Sequence, residues 1–201
     1  MKQETAFPET DHVFMMIDSR KGAALKVKIR KPSWSKMVTI KVNGAVAPAA
    51  DDGSGYLSVT GLVNGKNNIS VQFDMRLYTE AMPDNRNRIA FKYGPVVLAG
   101  QLGKEMPDPL YGTPVLLTDN KNVNEWVRPA GGPLQFELKG VGKPMDVKLA
   151  AFYKTYDQYY SVYWDYFTPA EWSNRQEEYE AAKKAAAELE ARTIDNFRIG
   201  E

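Results

Sequence analysis

Val38-Thr39-Ile40-Lys41-Val42-Asn43-Gly44 decides the class of fold. Val38, Ile40 and Val42 alternate with Thr39 and Lys41, the period of two that puts one face of a strand on a core. The Asn43-Gly44 that follows suits a type I′ turn, in which both central residues need positive φ. The chain therefore folds back on itself as a hairpin.

The same rhythm extends in both directions. Leu25, Val27 and Ile29 alternate with Lys26, Lys28 and Arg30, and Leu57 with Val59, then Ile69, Val71 and Phe73, then Ile89, Phe91 and Tyr93 continue the series. Asp51-Asp52-Gly53-Ser54-Gly55 and Asn64-Gly65-Lys66-Asn67 supply the turns between them. Pro95-Val96-Val97-Leu98-Ala99-Gly100 is apolar on both faces and reads as a central strand. Leu134, Phe136 and Leu138, then Met145, Val147, Leu149 and Ala151, repeat the pattern beyond a polar, Gly- and Pro-containing stretch from Gln101 to Pro109 that reads as a linker. Thr168-Pro169-Ala170-Glu171 then combines an N-cap threonine, a proline at the first helical position and a glutamate three residues after the cap. The body that follows, rich in Ala, Glu and Lys, carries a helix to about Arg192.

The expected fold is mainly β: two antiparallel β-sandwich-like lobes followed by one long C-terminal α-helix. The expected domains are residues 1–102, a second small β domain at 103–167, the helix at 168–193 and a tail at 194–201. The helix places Trp172, Tyr179, Ala186 and Leu189 near one face, a narrow stripe that suits a strut.

Composition removes several classes of function. A net charge of +1 gives no field that would draw nucleic acid or an anionic membrane, and no apolar run approaches the ~20 residues of a membrane span. The absence of cysteine excludes thiolate nucleophiles, zinc–cysteine sites and disulfides. No cofactor motif is present, Met1 to Thr5 shows no secretory leader, and the compartment is open. Residues 1–100 carry five more basic than acidic side chains and residues 101–201 four fewer, a modest offset between the lobes. Eight Lys and Arg lie between Arg20 and Lys41 with no Asp or Glu, and because several of them alternate with core positions they read as a solvated face more readily than as a site for phosphate or acidic glycans.

Phe152 to Phe167 is the least ordinary stretch, with nine aromatics in sixteen residues. Such rings serve equally as core, as interface or as a platform for sugar faces. As one strand, Tyr160, Val162, Trp164 and Tyr166 would share one face, and Tyr159, Tyr163 and Phe167 the other. The carbohydrate-binding candidates are Trp34, Trp126, Tyr159, Tyr163 and Trp164. Asp157 and Asp165 are the only carboxylates set among these rings, and a role in hydrogen-bonding the backbone or a tyrosine hydroxyl fits them better than catalysis. The one histidine, His12, lies beside Phe14 and Met16 in a strand, with no nucleophile or second ligand near it in sequence. No catalytic and no metal-binding residue is assigned.

Glu4-Thr5-Ala6-Phe7-Pro8, Ile29-Arg30-Lys31-Pro32-Ser33-Trp34, Val42-Asn43-Gly44 and the run Arg88-Ile89-Ala90-Phe91-Lys92-Tyr93-Gly94-Pro95-Val96-Val97-Leu98-Ala99-Gly100 together resemble the C-terminal β region of glycoside hydrolase family 127, the β-L-arabinofuranosidase-like proteins. The resemblance covers roughly residues 1–100. Phe152-Tyr153, Tyr163-Trp164 and the helix resemble the small domain of unknown function that follows it. In the family this implies an (α/α)₆ catalytic barrel with a cysteine nucleophile and a zinc site, none of which has a counterpart here. It implies a non-catalytic accessory region bracing such a barrel, with the alternative of a carbohydrate-binding module. The implied partners are the N-terminal catalytic domain of a parent chain, a second copy of this chain and a plant-type glycan, and the implied parent is periplasmic or secreted.

Overall fold

The computed structural model describes residues 1–19, 25–108, 110 and 112–198, with side chains to Arg192. Arg20 and Lys21 of the basic stretch lie outside the described residues. The chain is mainly sheet and divides into two compact units, Met1–Arg76 and Leu77–Glu201.

Among the described residues the first unit holds eight strands: β1 (Lys2–Thr5), β2 (His12–Ser19), β3 (Val27–Arg30), β4 (Val38–Val42), β5 (Ala45–Val46), β6 (Ala49–Asp51), β7 (Tyr56–Val59) and β8 (Gly65–Phe73). They form a five-stranded sheet in the order β1-β2-β8-β4-β5 and a three-stranded sheet in the order β3-β7-β6, all pairs antiparallel. Ile40, Val42, Leu57, Val59, Ile69 and Val71 are the buried core, with Val13, Met15 and Ile17 packed against it. Residues of both sheets thus face one another across a sandwich interior, as the period of two requires. Asn43 and Gly44 adopt φ of 51° and 87°, the paired positive values expected of the hairpin turn between β4 and β5.

Among the described residues the second unit holds ten strands and two α-helices: β9 (Leu77–Ala81), β10 (Arg88–Tyr93), β11 (Val96–Gly103), β12 (Val115–Leu117), α1 (Val123–Trp126), β13 (Val127–Pro129), β14 (Gln135–Leu138), β15 (Gly142–Lys143), β16 (Lys148–Ala151), β17 (Tyr159–Ser161), β18 (Trp164–Phe167) and α2 (Pro169–Arg198). The sheet runs β13-β14-β16-β11-β10-β18-β12-β15, with β17 also paired to β11 and β9 to β10. Among the described residues, only β12 and β18 pair in parallel. β11 is central, flanked by β10 and β16, and Leu98 and Ala99 are fully buried, in keeping with its two apolar faces.

Three expectations change. The boundary between lobes falls at Arg76–Leu77 instead of residue 102, because β10 and β11 pair with β18 and β16, far along the chain, and so belong with the C-terminal strands. Gln101 to Gly103 completes β11 and is no linker, since its backbone is taken up in the pairing with β17. The helix continues to Arg198, past the end expected near Arg192, and absorbs most of the expected tail. Its start is as read: the Thr168 backbone N–H donates to Glu171 Oε2 at 2.8 Å while the Glu171 N–H donates to Thr168 Oγ1 at 3.2 Å, a reciprocal capping box.

Candidate functional site

The aromatic segment is not one continuous strand. Phe152–Lys154 is a short 3₁₀ turn, β17 and β18 are separate, and the chain breaks at Val162–Tyr163 so that it can pair first with β11 and then with β10. Eight of the nine rings divide accordingly into two groups with opposite fates, and the ninth, Tyr166, is partly buried and stacked on Trp126 at 6.4 Å.

Trp164 and Phe167 turn inward. Trp164 is fully buried, tilted against Phe91 with ring centroids 5.9 Å apart, and its Nε1 has no hydrogen-bond partner among the described residues. Gly100 makes room for it: a Cβ there would stand 2.3 Å from two carbons of the indole. Trp126, on α1 behind its Asn122 cap, is also buried, meets Phe91 edge-on and donates from Nε1 to the Asn120 carbonyl at 3.0 Å. Neither tryptophan presents a face to solvent, so both leave the set of carbohydrate contacts. Core packing claims them, as it claims most large aromatics that are covered. Trp34, in the first unit, is half-buried, stacked on Phe7 with centroids 6.2 Å apart and tilted against Phe73 at 5.7 Å.

Tyr159 and Tyr163 are exposed, together with Phe152, Tyr153, Tyr156 and Tyr160. Phe152 and Tyr160 form a tilted ring pair at 5.4 Å, and Lys154 lies 5.8 Å from the centre of the Tyr153 ring. Asp157 takes up φ of 57°, a left-handed geometry that aspartate tolerates, and is ion-paired with Lys104 at 3.0 Å. Tyr156 is the most exposed of these rings, at 78%. No exposed aliphatic side chain interrupts residues 152–163.

The second carboxylate has a different setting. Asp165 faces Arg88 across the β10–β18 ladder, accepts from its Nε at 3.0 Å and Nη2 at 3.4 Å, and accepts from the Tyr179 hydroxyl of α2 at 2.7 Å. Its side chain is 11% exposed, against 47% for Arg88. Burial first, and then the carboxylate to which it donates, push the Tyr179 phenol well above the ordinary tyrosine range. Asp165 likewise holds the Arg88 guanidinium above its usual value. The carboxylate ties strand to helix, and Phe167, Trp172 and Tyr179 stack beside it at 5.3 to 6.0 Å. From Ala181 to Arg192 the helix is mostly exposed, Leu189 at 67%.

Among the described residues no three His, Asp or Glu side chains come together as a cation site. No helix of the described residues is long and apolar enough to cross a membrane. His12 opens β2, contacts the Asp11 carboxylate and stacks on Phe14. Val13-Phe14-Met15-Met16-Ile17 is apolar without interruption, yet of these Val13, Met15 and Ile17 face the core.

These arrangements define a two-unit β module whose rings and carboxylates are engaged in packing and latching, with one group of aromatics left at the surface. Residues 1–75 match the family model described as beta-L-arabinofuranosidase, GH127 middle domain, a span that ends one residue short of the boundary of the first unit. The resemblance seen in Ile29–Trp34 and Val42–Gly44 is therefore borne out, over a shorter stretch than residues 1–100 and to a region described as middle instead of C-terminal. Solved structures with the same fold include a glycoside hydrolase (TM-score 0.60, 16% identity, covering 82% of this chain and 32% of that one). Another is a GH127 beta-L-arabinofuranosidase from Geobacillus stearothermophilus T6 (0.59, 15%, 82% and 30%). A third is a GH127 beta-arabinofuranosidase (0.56, 18%, 83% and 32%). The chain spans about a third of the length of these proteins. No curated protein matches it.

Proposed function

We propose that this chain is a non-catalytic accessory module of a glycoside-hydrolase-like protein, acting through its surfaces on a catalytic domain. The coincidence of the family match with the first compact unit carries the reading. Its chemistry agrees. Asp165 is committed to Arg88 and Tyr179, a structural use that ill suits the free acid or nucleophile that glycoside hydrolysis requires, and Asp157 stands exposed beside Lys104. The capped, largely solvated α2 suits a strut, at ~1.5 Å per residue about 45 Å long. A second reading, glycan contact by the second unit, is favoured by one observation: Tyr159, Tyr160 and Tyr163 offer rings and hydroxyls to solvent.

The accessory reading is tested by incubating the chain with fluorinated and epoxide glycoside analogues that trap glycosidase nucleophiles. Intact mass should be unchanged. A stoichiometric glycosyl adduct mapped to Asp157 or Asp165 would remove the reading. The second reading is tested by calorimetric titration of an arabinan oligosaccharide, where a response surviving Tyr159→Ala and Tyr163→Ala would count against those rings.

A further inference from the structure

We infer that the outer face of the five-stranded sheet in the first unit is a binding site for a neutral saccharide. The argument uses residues of this unit alone and goes beyond the accessory role, so either can fail without the other. On β2 the inward positions Val13, Met15 and Ile17 fill the core, and an ordinary half-buried strand would carry polar residues at the alternate positions. Phe14 and Met16 stand there instead, 53% and 45% exposed. They line a cavity of about 350 Å³ together with Lys2, Glu4, Asn68 and Ser70, within the ~300–1,000 Å³ typical of small-ligand sites.

Register explains how these six meet. Glu4, Phe14 and Ser70 are directly opposite one another on β1, β2 and β8, and Lys2, Met16 and Asn68 form the next outward rung. Strands lie ~4.8 Å apart, so each apolar side chain has a polar one about that far away on either side. His12 continues the row, its ring within 10° of the plane of Phe14 at 6.2 Å.

The inventory of groups selects the ligand. Lys2 and Glu4 are ion-paired, which cancels the charge of the rim while leaving donors on one and acceptors on the other. Asn68 donates its backbone N–H to Asn43, but its side-chain amide and the Ser70 hydroxyl have no intramolecular partner among the described residues. A pyranose or furanose ring presents an apolar C–H face to Phe14 and Met16 and hydroxyls at its edge to these four groups. An anion would find Lys2 already neutralised. A peptide strand would find the β2 backbone already paired on both sides, by β1 and β8.

The experiment is a nuclear magnetic resonance titration of the whole chain with arabinotriose, xylotriose and mannotriose, and with trigalacturonate as the charged comparator. Saturable shifts of the Met16 methyl and of the Phe14, Asn68 and Ser70 amides are expected with at least one neutral trisaccharide, at millimolar affinity. Phe14→Ala should weaken binding by about tenfold and Asn68→Ala by several-fold, both side chains being exposed and neither needed for the core. The proposal is overturned by no saturable shift with any neutral sugar, by shifts confined to residues 152–163, by tighter binding of trigalacturonate, or by shifts at this face that follow protein concentration without sugar.

Discussion

Replacing Asp165 with alanine should unfasten α2 from the second sheet. The carboxylate accepts two guanidinium bonds and one phenol bond and is almost entirely covered. Hydrogen bonds to a charged partner contribute ~1.5–3 kcal/mol each, but Arg88 is half exposed and regains water when its partner goes, which discounts its share. Tyr179 is the group stranded, its hydroxyl half-buried beside Phe167 and Trp172. A loss of about 2–3 kcal/mol follows. For a unit of this size that is a fall in Tm of about 6–15 °C. Far-ultraviolet circular dichroism, which follows the helix, and tryptophan fluorescence, to which Trp126 and Trp164 of the core and Trp172 of the helix contribute beside Trp34, should report it together. Tyr179→Phe alone should cost about 1 kcal/mol, and the double variant should lose less than the sum of the two, with a coupling of about 1 kcal/mol. Strict additivity, or an unchanged Tm in Asp165→Ala, would refute the latch.

Alkaline pH should act through the same tyrosine. Its folded-state pKa lies above the ordinary tyrosine value of 10.0, so above that pH the unfolded chain releases a proton the folded chain keeps, and stability falls as pH rises further; Tyr179→Phe should lessen the fall, and identical alkaline limbs for both proteins would contradict the assignment. Gly100→Ala should lower the urea midpoint by the equivalent of about 1–3 kcal/mol or more, because the new methyl meets a fully buried indole backed by Phe91, and a neutral result would mean that β11 can shift. Trp172→Ala should cost about 2–3 kcal/mol, and Leu189→Ala less than about 0.5, since only the first stands in the Phe167–Tyr179 cluster. Equal losses would remove the strut.

Local chemistry was the legible part of this protein. The Asn43-Gly44 turn, the alternation of β4 and β8, the centrality of Val96–Gly100 and the Thr168–Glu171 capping box depend on residues a few positions apart, and each formed as read. The domain boundary depends on the pairing of Arg88 with Asp165 across 77 positions, a distance at which period and turn signals say nothing, so β10 and β11 were grouped with their sequence neighbours. The aromatic stretch shows the same limit: its composition marked it, but the break between β17 and β18 decides that Trp164 is core while Tyr159 and Tyr163 are surface. Trp126 was misread because its burial comes from Phe91, a strand away. Phe14 and Met16 were within reach, since an unbroken apolar run in a strand with a single buried face must leave some of it outside.

The most direct test of the accessory assignment is hydrolysis of 4-nitrophenyl β-L-arabinofuranoside by the purified chain, at a chain concentration comparable to that of the substrate so that a single turnover would register. Nitrophenolate release should match the rate in buffer, with and without added zinc. Release stoichiometric with the chain, and abolished by Asp157→Asn or Asp165→Asn, would contradict the assignment and make the module an enzyme.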